Sequence, residues 1–435
     1  MIILAEQFDS RTKLLFDTLS QSTEPIKRII LEDNGFLPND IMTYYQFFSN
    51  YQSTDKGRFF NALTLPPFYE IEGDATGAII KDLWQQRANI VYSKSRVGRI
   101  IEKVEWLDEE KEIIKVDNYN KHGFKFSEVV FNNQKKVIQR YFNAAQQVII
   151  TRYFTNNTVE LLWGEHKYFF DTYHQFIKFY LNALELSGEQ FIINSLGAPL
   201  IILNQFSKKN NHIIVWQENI KQELPANMKI ALKLGYTILI PEHNEFAKIK
   251  QIINHSAINE FGYHYKLRRQ NQLSNHAFNL TNSDQLPNIE SIVQKNSNIQ
   301  FHIAALTEMS QKLLNLMQYS NVSLYPNVSR NTIKMLLETC DIYLDINKGN
   351  EVMGINEAAF TADLLILSYE GLQHNLRFTN DSNVFSMDDC KEINHRLYQL
   401  YSNKEAFKNL LKEQKAAANH ATAEYINGVL NDLKD

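Results

Sequence analysis

Three carboxylates follow one predicted strand in the stretch "DIYLDINKGNEVMGINEAAF", residues 341–360. Asp345 ends the apolar run, Glu351 lies in the following turn, and Glu357 lies near the start of the next helical pattern. Open α/β sheets bind ligands at the carboxyl ends of their strands, and carboxylates there can accept hydrogen bonds from hydroxyl groups. The stretch is therefore a candidate site for a hydroxyl-rich ligand.

The spacing of these carboxylates argues against catalysis. Retaining GT-B glycosyltransferases of the large family four type place two glutamates, separated by seven residues, in a turn and helix of this kind. Glu357 matches the second glutamate, but the residue eight positions earlier is Gly349. Glu351 is six residues from Glu357, which places it on another part of the turn, and Asp363 replaces a glycine of the motif. The stretch therefore predicts the strand, turn and helix of a sugar-nucleotide site, but it lacks one of the two carboxylates of that site.

Two other predicted strand ends lack the features of a diphosphate site. The first loop, "AEQFDSRTK", contains no glycine, and its Asp9 and Ser10 are typical of a helix cap. After "IQFHIAAL" the chain reads "TEMS", so Glu308 places a negative charge where a diphosphate needs a positive one. One alternative stays open: an active enzyme with a diverged donor site that uses Glu357 and Asp345.

Composition and charge exclude other chemistry. A net charge of -4 gives no global reason to bind nucleic acid. Cys340 and Cys390 are too few for a disulfide framework, and no histidines have metal-ligand spacing. His302 is expected to be a hydrogen-bonded core residue, and we expect no metal and no cofactor. Arg96, Arg99 and the Arg268–Arg269 pair are candidate basic patches.

The elements around these residues alternate between short apolar runs and amphipathic helical patterns, which predicts parallel sheets covered on both faces. Between them lies a series of β-branched and aromatic segments separated by turn clusters, which predicts an antiparallel meander. We expect an α/β protein of the GT-B fold, with two Rossmann-like doubly wound domains and an antiparallel β-sheet domain inserted in the first.

The predicted boundaries follow these changes of pattern. The first Rossmann-like domain comprises residues 1–56 and 172–265, and the inserted sheet comprises residues 57–171. The second Rossmann-like domain comprises residues 266–418. Residues 419–435 are the end of one long helical pattern and are expected to cross back to the first domain.

The start of the chain, "MIILAEQFDS", lacks the basic region of a signal peptide. No segment approaches the roughly 18 to 20 apolar residues of a membrane span. We therefore expect a cytoplasmic protein, with peripheral attachment to the membrane left open.

Four segments carry a resemblance to a known family: "RIILEDNGFLPNDIMTYYQFF" (28–48), "LPPFYEI" (65–71), "ANIVYSKSRVGRIIEKVEWLD" (88–108) and the stretch at 341–360. Over essentially its whole length the chain resembles the glycosyltransferase-stabilising subunits (GtfB type) of the accessory Sec systems of Gram-positive bacteria. That family implies a non-catalytic, chaperone-like partner of an active O-GlcNAc transferase (GtfA type) of similar fold.

The resemblance also implies a substrate and an assembly. The complex, expected to be a heterotetramer, would add N-acetylglucosamine, or a related hexose in some members, to Ser and Thr of serine-rich repeat adhesins. This subunit would help bind the acceptor polypeptide. Asp345 and Glu357 are the candidate acceptor-binding residues. Trp106, Tyr153 and Trp163 are candidates for the partner interface, with an ordinary core position as the alternative for each. A general chaperone without acceptor preference is a further alternative.

Overall fold

The computed structural model describes residues 1–50, 56–94, 98–206, 211–221 and 223–433. These residues form two compact units, Met1–Glu260 and Phe261–Asp435.

The strands of the described residues, in chain order, are β1 (Ile2–Ala5), β2 (Lys27–Ile30), β3 (Ile41–Met42), β4 (Tyr69–Gly73), β5 (Ala78–Asp82), β6 (Gln85–Tyr92), β7 (Ile101–Leu107), β8 (Ile113–Tyr119), β9 (Lys125–Asn132), β10 (Lys135–Phe142), β11 (Val148–Tyr153), β12 (Thr158–Trp163), β13 (His166–Phe170), β14 (Phe191–Ile193), β15 (Ile213–Val215), β16 (Thr237–Ile240), β17 (Ile258–Glu260), β18 (His276–Thr281), β19 (Gln300–Ala305), β20 (Val322–Tyr325), β21 (Ile342–Asp345), β22 (Leu365–Tyr369) and β23 (Val384–Phe385).

The α-helices of the same residues are α1 (Ser10–Leu19), α2 (Tyr44–Ser49), α3 (Tyr173–Ala183), α4 (Ala198–Leu203), α5 (Ala226–Lys233), α6 (His243–Ile252), α7 (Ile289–Lys295), α8 (Gln311–Leu314), α9 (Arg330–Thr339), α10 (Ile355–Thr361), α11 (Cys390–Ser402), α12 (Lys404–Ala417) and α13 (Ala423–Asp432). Short 3₁₀ turns cover Phe60–Ala62, Asn315–Gln318 and Asp381–Asn383.

The first unit contains a parallel sheet with the strand order β17-β16-β15-β14-β1-β2-β3. Its strands are almost continuous apolar runs such as "IILA" and "TILI", because helices cover both faces of a parallel sheet. The chain leaves this sheet after β3 and returns to it at β14.

Between β3 and β14, strands β4 to β13 form one antiparallel sheet in which each strand pairs with its neighbours in sequence. Part of one face packs on α2 and α3, where Phe126, Tyr141 and Leu161 share a core with Tyr44 and Tyr180. The β5–β7 end packs against the segment that includes Phe60, Leu63 and Leu65. The part of the sheet that contains Phe126, Tyr141 and Leu161 is thus the part that packs on the Rossmann-like helices.

The second unit has a parallel sheet with the order β20-β19-β18-β21-β22-β23. Helices α7, α11 and α12 supply apolar side chains to its main core, among them Ile292, Leu397 and Leu411. The helix caps follow the sequence. Ser329 accepts the Thr332 N–H at the start of α9.

One predicted element is wrong: the last long helical pattern forms two helices. Asn419 has a φ of 55° and interrupts the helix. The Tyr263 N–H donates to the Asn419 carbonyl and the Ala421 N–H donates to the Tyr263 carbonyl, both at 2.7 Å. Thr422 then caps α13. The break arises because the backbone pairs with a segment more than 150 residues earlier in the chain, which helical periodicity does not reveal.

Candidate functional site

The carboxyl ends of β18, β21 and β22 meet at one edge of the second sheet. Thr281 ends β18, Asp345 ends β21, and His374 lies in the loop that follows β22. The predicted site residue Asp345 therefore lies at the sheet edge where α/β proteins bind ligands.

Asp345 is 1% exposed, and both of its carboxylate oxygens accept hydrogen bonds from His374. Its carboxylate lies 2.5 Å from His374 Nδ1 and accepts the His374 backbone N–H at 3.0 Å. His374 Nε2 lies 2.7 Å from the carbonyl oxygen of Gly349. Because both ring nitrogens face acceptors, both donate, and the ring is an imidazolium. The hydrogen bond to Asp345 is the main cause that raises the pKa of His374 to about 9.

Asn347 caps the turn that follows β21. Asn347 Oδ1 accepts the Gly349 N–H at 2.9 Å and the Thr281 hydroxyl at the same distance. Asn347 Nδ2 donates to Asn282 Oδ1 at 3.1 Å. The turn is thus fixed by amide side chains from two strand ends.

Gly349, at the position of the missing glutamate, is closely surrounded. A Cβ atom built on it would lie 2.1 Å from Asn282 Oδ1 and 3.2 Å from Asn347 Nδ2. Any side chain at this position requires Asn282 to move. The chain's own amides therefore occupy the space in which a carboxylate side chain would begin.

The two remaining glutamates have different surroundings. Glu351 Oε1 accepts the Asn356 N–H at 3.1 Å and so caps the start of α10. Glu357 lies in the first turn of α10 with its side chain exposed. The structure thus buries Asp345 and exposes Glu357, and Glu308 is exposed in the loop after β19.

The corresponding edge of the first unit is filled by Glu6, which directly follows β1. Its carboxylate accepts the Ser195 hydroxyl at 2.8 Å and the Ala198 N–H at the start of α4 at 3.2 Å. A Cβ on Gly197 would lie 3.0 Å from both Glu6 oxygens. Sequence reasoning missed this residue, because a strand-end glutamate carries no signal of a partner almost 190 residues away.

The residues predicted to form the partner interface lie in different surroundings on the inserted sheet. Trp106 Nε1 donates to Asp117 at 2.7 Å, and the Tyr153 hydroxyl donates to Glu160 at 3.2 Å. Both aromatic residues are half-buried. Trp163, 37% exposed, packs in an aromatic cluster with residues of α2 and α3. Their role as an interface stays a prediction.

The expected basic patches are only partly surface features. Arg269 is wrong as a patch residue: its guanidinium donates to the buried Asp341 carboxylate at 2.8 Å and its side chain is 14% exposed. Arg99 lies over the ring of Phe60, and Arg96 lies outside the described residues.

His302 is hydrogen-bonded within the second sheet, as expected. Its Nδ1 lies 3.0 Å from the Tyr325 hydroxyl and its Nε2 lies 2.9 Å from His276 Nδ1. Burial lowers the pKa of His302 to about 4, so the ring is neutral at pH 7. In the described ranges, no cluster of His, Cys, Asp and Glu side chains has the arrangement of a metal site, and no helix is long and apolar enough to cross a membrane.

The two Rossmann-like sheets, with an antiparallel sheet inserted in the first, define a protein of the GT-B glycosyltransferase fold. This confirms the predicted fold class. A chain of the pneumococcal O-GlcNAc transferase GtfA in complex with UDP and GlcNAc has this fold, with a TM-score of 0.55 at 10% identity.

Models of known protein families match four consecutive parts of the chain. They match the GtfB N-terminal domain at residues 2–48, the GtfB middle domain at 69–171, the GtfB third domain at 173–252 and the GftB/GlyA-F C-terminal domain at 277–414. The chain is 33% identical to a UDP-N-acetylglucosamine–peptide N-acetylglucosaminyltransferase stabilizing protein GtfB of Streptococcus agalactiae over 99% of both chains. It is 31% identical to the protein of that name in Streptococcus gordonii.

The chain belongs to this GtfB family of transferase-stabilizing proteins. One chain of a crystal structure of a GtfA/B complex bound to UDP and GlcNAc superimposes on it with a TM-score of 0.89, at 31% identity and full coverage of both chains.

Proposed function

We propose that this chain is a catalytically inactive pseudo-glycosyltransferase subunit that stabilises an active O-GlcNAc transferase of similar fold. One observation carries the proposal: Asn282 occupies the space in which the missing carboxylate at Gly349 would begin. The names of its relatives, which are stabilizing proteins of a peptide N-acetylglucosaminyltransferase, support the same conclusion.

The alternative is an active enzyme with a diverged donor site. Its best polar groups are Asp345 and Glu357. Both oxygens of Asp345 are hydrogen-bonded to His374, so a ligand hydroxyl would have to displace a charged partner. This geometry favours the inactive subunit.

The proposed process is the O-glycosylation of serine-rich repeat adhesins in the cytoplasm by a heterotetramer of the two subunits. Any membrane association of this complex is peripheral. Within the complex the chain also helps bind the acceptor polypeptide. Stabilisation has a simple physical meaning: a protein that binds only the folded partner shifts the partner's folding equilibrium by mass action.

The inserted sheet offers a surface for that partner. At the corner of the sheet where β4 begins and β5 turns into β6, Phe68, Leu83 and Trp84 are 86%, 77% and 97% exposed. The register of Tyr69 with Asp82 brings Phe68 and Leu83 to the same corner. Large exposed aromatic and aliphatic side chains that lie together are typical of interaction sites. We define Phe68, Leu83 and Trp84 as the apolar corner.

The experiment compares the purified chain, the purified partner transferase and their complex. UDP-GlcNAc binding is measured by calorimetry, and transfer is measured on a serine-rich peptide. We expect neither UDP-GlcNAc binding nor turnover by the isolated chain, and transfer only by the partner and the complex. Micromolar UDP-GlcNAc binding or transfer by the isolated chain would support the active alternative.

A further inference from the structure

A cleft of about 250 Å³ opens at the carboxyl end of β2 in the first unit. Glu32 and Asp33, which follow β2, form one wall. The other wall is a face of the inserted sheet, with side chains from β7 to β10 and Phe154 just after β11. The cleft therefore combines a ligand edge of a parallel sheet with the sheet inserted into it.

The side chains of the cleft are of three kinds. Val116, Phe131 and Phe154 form an apolar surface, and the amides of Asn118 and Gln139 lie beside it. The carboxylates of Glu32 and Asp33 lie on one wall, and Lys103 and Lys136 lie on the other. The Lys103 ammonium pairs with Glu105 at 2.6 Å, so the cleft has no excess of positive charge and no electrostatic preference for a phosphate. Its volume is also below the roughly 300–1,000 Å³ usual for small-molecule pockets.

These properties fit a narrow, uncharged chain segment. An amide side chain can both donate to and accept from a peptide backbone. A carboxylate accepts a hydroxyl hydrogen, and the phenyl rings can contact methyl groups and aliphatic side chains.

We propose that this cleft, the acceptor cleft, binds an extended, uncharged polypeptide segment through its backbone and its Ser and Thr side chains. The assignment rests on the proposed acceptor-binding role of the chain. It places the acceptor in the first unit, at a different sheet edge from Asp345 and Glu357.

The two carboxylates of this first wall are held in different ways. Asp33 accepts the Gly35 N–H at 2.7 Å and the Thr43 hydroxyl at 2.9 Å, so it is a rigid part of the wall. Glu32 is exposed and accepts the Gln7 amide at 3.0 Å. Glu32 is therefore the carboxylate that can exchange this exposed amide for a ligand hydroxyl.

The ligand edges at two other strands are filled by the protein itself. Glu6 occupies the end of β1, and the Asn282–Asn347 pair occupies the end of β18. The end of β2 instead opens into the acceptor cleft.

The test measures binding of a fluorescein-labelled Ser/Thr-rich repeat peptide to the complex of chain and partner, without nucleotide, by fluorescence anisotropy. Gln139→Trp puts a large side chain into the acceptor cleft. We expect the affinity of the Gln139→Trp complex for the peptide to fall by about tenfold or more, since the tryptophan fills the space in which the peptide would make its contacts. The control is Gln147→Trp, an exposed position between β10 and β11, which should bind as the wild type does. Thermal unfolding and co-purification with the partner show whether each variant is folded.

Photo-crosslinking gives a readout that does not depend on the Gln139 variant. Lys136→benzoylphenylalanine, at the cleft, should crosslink to the labelled peptide, and Lys233→benzoylphenylalanine, exposed at the end of α5, should not. Absence of peptide binding by the wild-type complex contradicts the proposed acceptor role itself. Wild-type binding that Gln139→Trp leaves unchanged, with no crosslink from position 136, overturns the acceptor cleft and leaves that role standing.

Discussion

At the scale of single residues, His374 makes a pH-dependent contribution to stability. Its pKa is about 9 in the folded chain and 6.5 without its partners. The folded state therefore binds this proton more tightly. The stabilisation is fully present below pH 6.5 and is lost as the pH rises through about 9, and it amounts to roughly 3 kcal/mol at most.

The loops at this sheet edge should therefore loosen in alkaline solution. We expect hydrogen exchange of peptides covering residues 341–378, corrected for intrinsic rates, to accelerate between pH 7 and pH 10. His374→Ala should show the faster exchange already at pH 7, whereas His166→Ala, at an exposed position of β13, should match the wild type. A His374→Ala profile that equals the wild type at pH 7 would contradict a stabilising role of the charged His374 ring.

Two buried tyrosines of the first unit provide a matched pair of substitutions. Within the described parts of the chain, the Tyr180 hydroxyl is buried without a hydrogen-bond partner, and burial raises its pKa. The Tyr141 hydroxyl, equally buried, is 2.7 Å from that of Tyr44. Tyr180→Phe should leave the stability unchanged or raise it by up to about 1 kcal/mol, while Tyr141→Phe should lower it by about 1 kcal/mol.

Urea unfolding followed by tryptophan fluorescence checks this pair, since Trp163 packs on the same aromatic cluster as Tyr180. A loss of stability in Tyr180→Phe as large as that in Tyr141→Phe would mean that the Tyr180 hydroxyl is hydrogen-bonded in solution.

At the scale of elements, residues 268–274 are fastened to the start of β21 by a buried ion pair. Asp341, 0% exposed, accepts the Arg269 guanidinium at 2.8 Å and the N–H groups of Gln272 and Ser274 at 3.0 and 2.6 Å. Arg269→Ala leaves this carboxylate buried without its cation and should cost about 3–5 kcal/mol. The exposed neighbour, Arg268→Ala, should cost less than about 0.5 kcal/mol.

The unfolding free energy of both variants is measured by chemical denaturation, with hydrogen exchange of peptides from the second unit as the readout. Equal stability of the two would show that the buried pair contributes no more than an ordinary surface charge.

The sequence predicts elements well where the signal is local. Apolar runs identify the parallel strands, and Asp9 caps its helix as predicted. The break before α13 was missed because it depends on pairing with Tyr263. The sequence spacing shows that Gly349 stands where a carboxylate residue is expected. It does not show that Asn282 contacts Gly349 or that His374 pairs with Asp345, because these contacts join distant parts of the chain. Both Asn282 and His374 lie in loops brought together only by the sheet.

At the scale of the whole molecule, the chain retains the sheets of a transferase while its own side chains occupy two of the ligand edges. Fold alone does not determine activity. Glu6 in the first unit and Asn282 with His374 in the second are ordinary polar residues that satisfy their hydrogen bonds within the chain. A chain that keeps this fold while filling its ligand edges is expected to act through its surface, by binding another protein.

The apolar corner gives that question a direct test. If it binds the partner transferase, the wild-type chain in excess should raise the partner's unfolding free energy by about 2.7 kcal/mol at a concentration of 100 times the Kd. Replacing Leu83 and Trp84 together by Ser should abolish most of this gain, because these side chains would be buried in the interface. The control is Leu376→Ser, since Leu376 is 75% exposed but lies in the second unit. Differential scanning fluorimetry of the partner with each variant measures the effect. Full stabilisation by the Leu83→Ser/Trp84→Ser variant would place the interface elsewhere on the chain.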